Sequence, residues 1–168
     1  ANRKADAIQL REQLQMTGQV IFLFVGRLVK RKNVDLIIKA MQQLDHPRIS
    51  IVIAGSGEEE NALKELAAGH PRIIFTGNIA PQDLPLYYAM ADVFVLPAER
   101  EPWGLVINEA MACGLAIIAH KHCGAAVDLV EKDNGVKLES FSVEELSQAM
   151  KRSADDASLL QAMQRGLR

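Results

Sequence analysis

Short apolar runs of strand length alternate with stretches of helical periodicity along almost the whole chain, and this alternation strongly restricts the possible folds. The clearest run is VIFLFV at residues 20–25. It is uninterrupted and rich in β-branched and aromatic side chains, as is typical of a strand buried on both faces. Asn33 is predicted to cap the helix that follows, in which residues 34, 37, 38, 41 and 44 are apolar at helical spacing. Strands alternating with helices predict βαβ units and a parallel sheet, and right-handed crossovers place helices on both of its faces.

The same patterns divide the rest of the chain into elements. We predict strands at residues 20–25, 49–54, 72–76, 92–96, 115–119 and 135–138. We predict helices at residues 5–15, 34–44, 58–68, 82–91, 104–113, 125–130, 143–152 and 158–165. The sequence shows no internal repeat, low-complexity tract or linker, so we predict one doubly wound, Rossmann-like α/β domain over residues 1–168.

Composition and charge exclude several classes of protein. Hydrophobic residues make up 49% of the chain and charged residues 24%, a globular balance that excludes a disordered chain. The net charge of −2 provides no general positive field for nucleic acid. The best apolar run, at residues 110–119, is too short for the roughly 20 residues of a membrane span. Two cysteines, Cys113 and Cys123, form no disulfide framework and favour a reducing cytoplasm.

The chain begins at Ala1 with neither an initiator Met nor a signal peptide. We therefore interpret it as a piece of a longer protein.

Ligands of open parallel sheets bind beyond the carboxyl ends of the strands. Five predicted loops share that edge, which we call the rim: residues 26–27, 55–57, 77–78, 97–103 and 120–124. They are rich in glycine, bases and acids for loops of this length.

The first rim loop is basic. The sequence GRLVKRKN at residues 26–33 places four basic residues within six positions, between a strand and the start of a helix. Gly26 allows close approach to the backbone, the helix start offers free N–H groups, and Arg27 and Lys32 could clamp a diphosphate. The alternative is a solvated basic loop, which we disfavour because the rest of the chain is slightly acidic and this loop lies on the rim.

A Gly-Ser-Gly sequence at residues 55–57 resembles the start of a dinucleotide fingerprint. The third glycine of that fingerprint is missing, because position 60 is Glu60 and three consecutive acids at 58–60 would repel a pyrophosphate. We therefore predict a tight structural turn and disfavour a nicotinamide cofactor.

Two acids, Glu101 and Glu109, flank the start of the predicted helix at 104–113. The N–H groups of Gly104 and Leu105 open that helix and could meet a phosphate or a sugar oxygen. Carboxylates beside an anion site suit hydroxyl groups, because a carboxylate accepts two hydrogen bonds from a sugar diol. Spacing alone leaves open the alternative of a surface acid at Glu101 and a helix-face acid at Glu109.

The segment His120-Lys121-His122-Cys123 suggests a metal site. Alternating residues at the end of a strand point to opposite faces, and no further cysteine is close in sequence. We therefore disfavour metal binding and predict loop residues near the rim.

Several of these motifs occur in the order found in one enzyme family. They are Gly-Arg-Leu at 26–28 followed by Lys32, Gly-x-Gly at 55–57, and Glu-Pro-aromatic-Gly-Leu-Val ending in Glu-Ala-Met-Ala-x-Gly at 101–114. From about residue 20 to 149, the chain resembles the C-terminal, donor-binding domain of a family four retaining glycosyltransferase with the GT-B fold.

The resemblance implies a role for each matching residue. Arg27 and Lys32 would hold the donor diphosphate and stabilise the leaving nucleotide. Glu109 would bind the ribose hydroxyls, and Glu101 would bind hydroxyls of the transferred sugar. Backbone groups would face the sugar and phosphates at Trp103, Gly104 and Leu105, and the base at the loop from Gly77 to Ile79.

The resemblance also implies retaining transfer of a hexosyl group from a UDP-, GDP- or ADP-sugar, with neither a cofactor nor a metal. Departure of a diphosphate builds negative charge, which fixed bases and helix N–H groups can stabilise. The Asp-x-Asp metal motif of the other large glycosyltransferase fold does not occur in the sequence.

The chain departs from the family at the fifth strand and the loop after it. Ala116 stands where proline is usual, Cys123-Gly124 replaces a Gly-Gly pair, and the acid that normally follows is displaced, with Asp128 the nearest. Lys121 and His122 are also untypical.

Such enzymes hold the acceptor in an N-terminal domain that these 168 residues do not contain. We therefore expect a domain inactive by itself, a glycan or lipid-linked acceptor, and peripheral association with the inner face of a membrane through that other domain. Two alternatives remain: half of a nucleotide-sugar epimerase, and a non-catalytic nucleotide-binding domain of the same fold.

Overall fold

The computed structural model describes residues 2–101 and 104–165, and a six-stranded sheet lies at its centre. All five strand pairings are parallel, and the strand order is β3-β2-β1-β4-β5-β6. The strands are β1 Val20–Val25, β2 Ile49–Ala54, β3 Ile73–Gly77, β4 Val93–Leu96, β5 Ala116–His120 and β6 Gly135–Leu138. The predicted doubly wound α/β fold is confirmed.

Helices precede, connect and follow these strands. They are α1 Arg3–Gln13, α2 Val34–Leu44, α3 Glu60–Ala67, α4 Leu84–Met90, α5 Leu105–Ala112, α6 Gly124–Leu129, α7 Val143–Asp155 and α8 Ala157–Arg165. A short 3₁₀ turn, Lys30–Lys32, precedes α2. Helices α3 and α4 begin two residues later than predicted, because the residues before them form turns. Helix α7 extends three residues beyond the predicted end at 152.

The prediction that the Asn33 side chain caps α2 is wrong. Asn33 has a left-handed backbone conformation (φ 56°), and its side chain makes no capping bond to α2. Its Nδ2 instead donates to the carbonyl of Pro97 at 3.0 Å. The residue thus ends the 3₁₀ turn and ties the loop after β1 to the loop after β4.

The position of β1 determines where the ligand crevice lies. The chain passes from β1 through β2 to β3 at one edge of the sheet, then returns to β4 on the opposite side of β1. The order reverses between β1 and β4, and a crevice opens at such a switch point. The central strands β1, β2 and β4 are almost completely buried, which gives the crevice a rigid floor.

The helices pack in groups around the sheet: α2 with α3 and α7, α1 with α4, and α5 with α6. A side chain fixes α1 to the start of β4, since Arg11 donates to the carbonyl of Met90 at 2.7 Å and to the carboxylate of Asp92 at 3.0 Å. Within the described residues, no helix has the length and apolarity required to cross a membrane.

Candidate functional site

Two loops of the rim meet at the switch point beside β1. The first contains the 3₁₀ turn Lys30–Lys32, and the second begins at Pro97 after β4. The N–H of Glu99 donates to the carbonyl of Arg31 at 2.9 Å. Together with the bond from Asn33 to Pro97, this contact holds the two loops against each other.

Lys32 and Glu101 form an ion pair between these loops. The side chain of Lys32 is only 8% exposed, and its Nζ donates to Oε2 of Glu101, whose side chain is 18% exposed. Arg31 approaches the same oxygen at 3.4 Å and donates to the carbonyl of Arg100 at 3.0 Å. A nearly buried ammonium needs a partner of opposite charge, and the fold supplies Glu101. Sequence analysis singled out Lys32 and Glu101 but missed Arg31, which it counted only as part of the basic loop.

Arg27 lies on the other side of the first loop, beside a pocket of about 160 Å³ at the ends of β1, β2 and β3. The pocket lining includes Gly26, Arg27, Asn78 and Ile79. The side chain of Arg27 is exposed and forms no ion pair with any residue in 2–101 or 104–165. A Cβ added to Gly26 would lie 3.9 Å from Cε of Lys32, so the stem of Lys32 passes close by. One pocket is therefore lined by Gly26, Arg27 and Ile79, and the stem of Lys32 lies next to Gly26.

The Gly-Ser-Gly turn packs directly against the first loop. A Cβ on Gly55, whose φ is +143°, would lie 1.9 Å from the carbonyl oxygen of Gly26, and one on Gly57 would lie 2.5 Å from that of Leu28. The N–H of Gly55 donates to the carbonyl of Gly77 at 2.9 Å. These close backbone contacts support the predicted structural turn and bring Gly77 to the rim.

Glu109 is exposed on α5 and accepts a hydrogen bond at Oε2 from the hydroxyl of Tyr88 at 2.8 Å. Tyr88 is a buried residue of α4. Burial first, and then the hydrogen bond and the charge of Glu109, raise the pKa of Tyr88 far above its usual range. Sequence analysis did not identify Tyr88, because nothing in its spacing connects it with Glu109.

The start of α5 lies beside Glu101, since a Cβ added to Gly104 would lie 3.3 Å from Cγ of Glu101. No side chain of a described residue caps α5 at Gly104, so none of these side chains satisfies the first N–H groups of the helix. A Cβ on Gly104 would lie 2.9 Å from Sγ of the buried Cys123, which places the loop after β5 under the helix start. Trp103, which sequence analysis assigned to the site, lies outside the described residues.

The His120–Cys123 segment is largely internal. The ring of His120 is buried, stacks on Phe141 with ring centroids 4.0 Å apart, and accepts a hydrogen bond at Nδ1 from the N–H of His122. Burial, followed by the charges of His122 and Lys121, lowers the pKa of His120. Burial also raises the pKa of the Cys123 thiol. In the described part of the chain, no group of three His, Cys, Asp or Glu side chains is placed to hold a metal ion.

Two larger grooves are lined by other residues. One of about 790 Å³ is formed by the ends of α7 and α8, and another of about 950 Å³ runs along β6 and α8. Neither is lined by a residue that sequence analysis assigned to the site. The chemistry-bearing side chains therefore converge at the rim and not at the largest depressions of the surface.

Comparison with known proteins identifies the family of the chain. The chain matches the family described as "Glycosyl transferases group 1" over residues 6–167. It is 36% identical to a GDP-mannose-dependent monoacylated alpha-(1-6)-phosphatidylinositol monomannoside mannosyltransferase of Corynebacterium glutamicum, over 78% of this chain and 37% of that protein.

Two solved structures have the same fold. Anabaena HepE in complex with UDP and glucose superposes with a TM-score of 0.85 at 25% identity, over 97% of this chain and 46% of that chain. The C-terminal domain of LpcC, a group 1 family protein of Francisella tularensis, superposes with a TM-score of 0.83 at 26% identity, over 99% of this chain and 89% of that chain.

The chain spans about 40% or less of the length of the curated relatives it matches first. The match to the LpcC domain instead includes nearly all of both chains. The family match covers almost every residue of the present sequence. The resemblance to a GT-B donor-binding domain is therefore confirmed, and the chain belongs to the group 1 family of glycosyl transferases.

Proposed function

We propose that this domain binds a nucleotide-diphosphate sugar and presents it for retaining, metal-independent transfer of the hexosyl group to an acceptor held by another domain. The observation that carries the proposal is the Lys32–Glu101 ion pair at the switch point, with Arg27 on the same loop as Lys32 and the start of α5, the helix that contains Glu109, packed against Glu101. Cations and helix N–H groups suit a diphosphate, and carboxylates suit hydroxyl groups.

Arg27 and Lys32 would bind the diphosphate. Breaking the bond between the anomeric carbon and the diphosphate leaves negative charge on the phosphate oxygens. Cations already in place stabilise that charge without reorganising during the reaction. Because Lys32 is paired with Glu101, a diphosphate would compete with this carboxylate for the ammonium group.

The two carboxylates would bind different hydroxyl groups of the donor. Glu101 lies beside Lys32, where the transferred sugar would join the diphosphate, and would accept hydrogen bonds from that sugar. Glu109 lies on α5 and would accept hydrogen bonds from the ribose hydroxyls. The small pocket beside Ile79 and Asn78, with Gly77 next to it, would receive the base.

The relatives support a nucleotide-sugar donor and leave its base open. HepE is solved with UDP, whereas the Corynebacterium relative is GDP-mannose-dependent. We propose UDP, GDP or ADP as the nucleotide, with no bound cofactor.

The acceptor would be a glycan or a lipid-linked sugar, held by a separate N-terminal domain. Because the acceptor site would lie in that domain, the present domain alone would be inactive. The N-terminal domain would also associate with the cytoplasmic face of a membrane. The family match and the relatives' names favour a transferase over half of an epimerase. The presence of all four motif side chains, Arg27, Lys32, Glu101 and Glu109, argues against a non-catalytic nucleotide-binding module.

Calorimetric titration of the 168-residue chain with UDP, GDP and ADP, in magnesium and in EDTA, tests the proposal. We expect saturable binding of at least one nucleotide, unchanged by EDTA. Loss of one charge-assisted contact in Arg27→Ala should weaken it roughly 10- to 100-fold. Lys39→Ala removes the same charge from an exposed position on α2 and should have no effect. No binding of any of the three nucleotides, or equal effects of the two variants, would contradict the proposal.

A further inference from the structure

Tyr88 connects the core of the domain to Glu109. Its side chain is only 2% exposed, and its ring lies 6.1 Å from that of Phe94 on β4, tilted by 41°. Only the hydroxyl reaches the edge of the core, where it donates to Oε2 of Glu109 at 2.8 Å. A rigid, buried residue of α4 therefore holds an exposed carboxylate of α5.

The direction of this hydrogen bond is fixed by the chemistry of its two groups. The raised pKa of Tyr88 keeps its hydroxyl protonated at physiological pH, so it can donate. An ionised carboxylate can only accept. The bond therefore occupies one oxygen of Glu109 and leaves Oε1 for another donor.

Fixing this side chain matters because glutamate is long and flexible. An exposed glutamate loses rotamer freedom when it must hold one conformation for a ligand, and this loss of side-chain entropy opposes binding. A hydrogen bond that restricts those rotamers beforehand reduces the loss on binding. Tyr88 is placed to provide this, since its own ring is held by packing.

We propose that Tyr88 is a positioning residue that orients Glu109 toward the ribose of the donor, and that this pair makes the site prefer ribonucleotides to 2′-deoxyribonucleotides. The inference rests on the proposed function, in which Glu109 accepts hydrogen bonds from the ribose hydroxyls. A 2′-deoxyribose lacks one of these hydroxyls, so it gains less from an oriented carboxylate. Tyr88 touches neither the sugar nor the phosphates and acts only through Glu109.

Tyr88→Phe is a mild test of this role. It removes a single oxygen atom, and the exposed Glu109 that loses its donor can bind water instead, so the fold should persist. Tyr87→Phe is a matched control on the same helix, because the hydroxyl of Tyr87 makes no hydrogen bond with another described residue. Thermal melting of both variants verifies that they remain folded.

The measurement is calorimetric titration of the unmodified chain and both variants with UDP, GDP and ADP and with dUDP, dGDP and dADP. For the nucleotide that binds, Tyr88→Phe should weaken the ribonucleotide about 3- to 10-fold, the range expected for one orienting hydrogen bond, and the deoxyribonucleotide much less. Tyr87→Phe should change neither. In a Glu109→Ala background, Tyr88→Phe should cause no further loss.

The other outcomes separate failure of this inference from failure of the proposed function. Equal weakening of both ligands would show a purely structural effect and overturn the inference while leaving the proposed function intact. Unchanged ribonucleotide affinity in Tyr88→Phe, or a further loss of affinity in the Glu109→Ala background, would also overturn the inference and leave the proposed function intact. Absence of all nucleotide binding by the unmodified chain would overturn the proposed function itself, and the inference with it.

Discussion

At the scale of single residues, the rim is organised by a charge pair with which a bound diphosphate would compete. Lys32 is nearly buried and is neutralised by Glu101, whose carboxylate also pairs with the half-exposed Arg31. Burying a charge without a partner costs several kcal/mol, on the order of 3–5. A diphosphate can replace Glu101 as the partner of Lys32. Glu101 can then remain paired with Arg31 while its carboxylate turns toward the sugar.

Removing each carboxylate should affect different ligands. Glu109→Ala should weaken the nucleoside diphosphate and its sugar conjugate alike, by roughly tenfold, because both contain ribose. Glu101→Ala should weaken only the sugar conjugate by a similar factor, and the bare diphosphate should bind as well or better because Lys32 is released. Titration with the nucleotide that binds and its glucose or mannose conjugate measures both effects.

Glu99→Ala is the matched control for these two variants, since it removes an exposed acid from the same loop as Glu101. It should leave the affinity for both ligands within about twofold of the unmodified chain, as expected for a surface charge outside the site. Equal loss of affinity for the bare diphosphate and for its sugar conjugate in Glu101→Ala would refute the division of roles.

The sequence predicted some of these residues and not others, for a physical reason. Arg27, Lys32, Glu101 and Glu109 stand in motifs whose order and spacing can be read directly. Arg31 and Tyr88 act through partners 70 and 21 positions away, and only the folded chain brings them together. An arginine such as Arg31 is ordinary in a solvated loop, and a tyrosine such as Tyr88 is ordinary in a core helix. No local sequence pattern therefore marks either residue as part of the site.

At the scale of elements, the turn after β2 fixes the shape of the first rim loop. Gly55→Ala should destabilise the chain by at least about 2 kcal/mol, because φ of +143° is nearly restricted to glycine. The new Cβ would also collide with the carbonyl of Gly26. Urea unfolding measures the loss, and nucleotide affinity should fall with it because Gly26 would be displaced.

Gly18→Ala is the comparison that isolates the collision. Its φ of +78° also disfavours alanine, yet nothing lies within 4 Å of the added Cβ. It should cost only about 1–2 kcal/mol and leave nucleotide binding unchanged. If the two variants lost the same stability, the close contact between the turn and the first loop would have no energetic importance.

Element boundaries depend on hydrogen bonds that apolar spacing does not report. Helix α7 begins at an N-cap, since the hydroxyl of Ser142 accepts from the N–H of Glu145, whose carboxylate accepts from the N–H groups of Glu139 and Ser140 in the preceding loop. Burial raises the pKa of Glu145, but these hydrogen bonds outweigh it and lower the pKa overall. The Ser-x-x-Glu spacing was a readable signal for this start. Asn33 shows the opposite case, in which a good capping residue was used for a tertiary contact.

At the scale of the whole molecule, alternating patterns predicted the parallel sheet and therefore the rim. They could not supply the distances within it, because those depend on how loops cross at the reversal between β1 and β4. The fold alone also fits many functions. The specific conclusion depends on the Lys32–Glu101 pair and the motif residues Arg27 and Glu109 on neighbouring elements, together with the family match over residues 6–167.

The location of the nucleotide tests this conclusion most directly, because the rim pocket of about 160 Å³ is smaller than the groove of about 950 Å³ along β6 and α8. Amide ¹H–¹⁵N spectra of the chain, titrated with the nucleotide that binds, report where it lies. We expect the largest shift changes at Gly26, Gly77, Gly104 and Leu105. Shift changes concentrated at Leu159 and Met163 in the groove, with the rim glycines unmoved, would contradict a donor site at the rim.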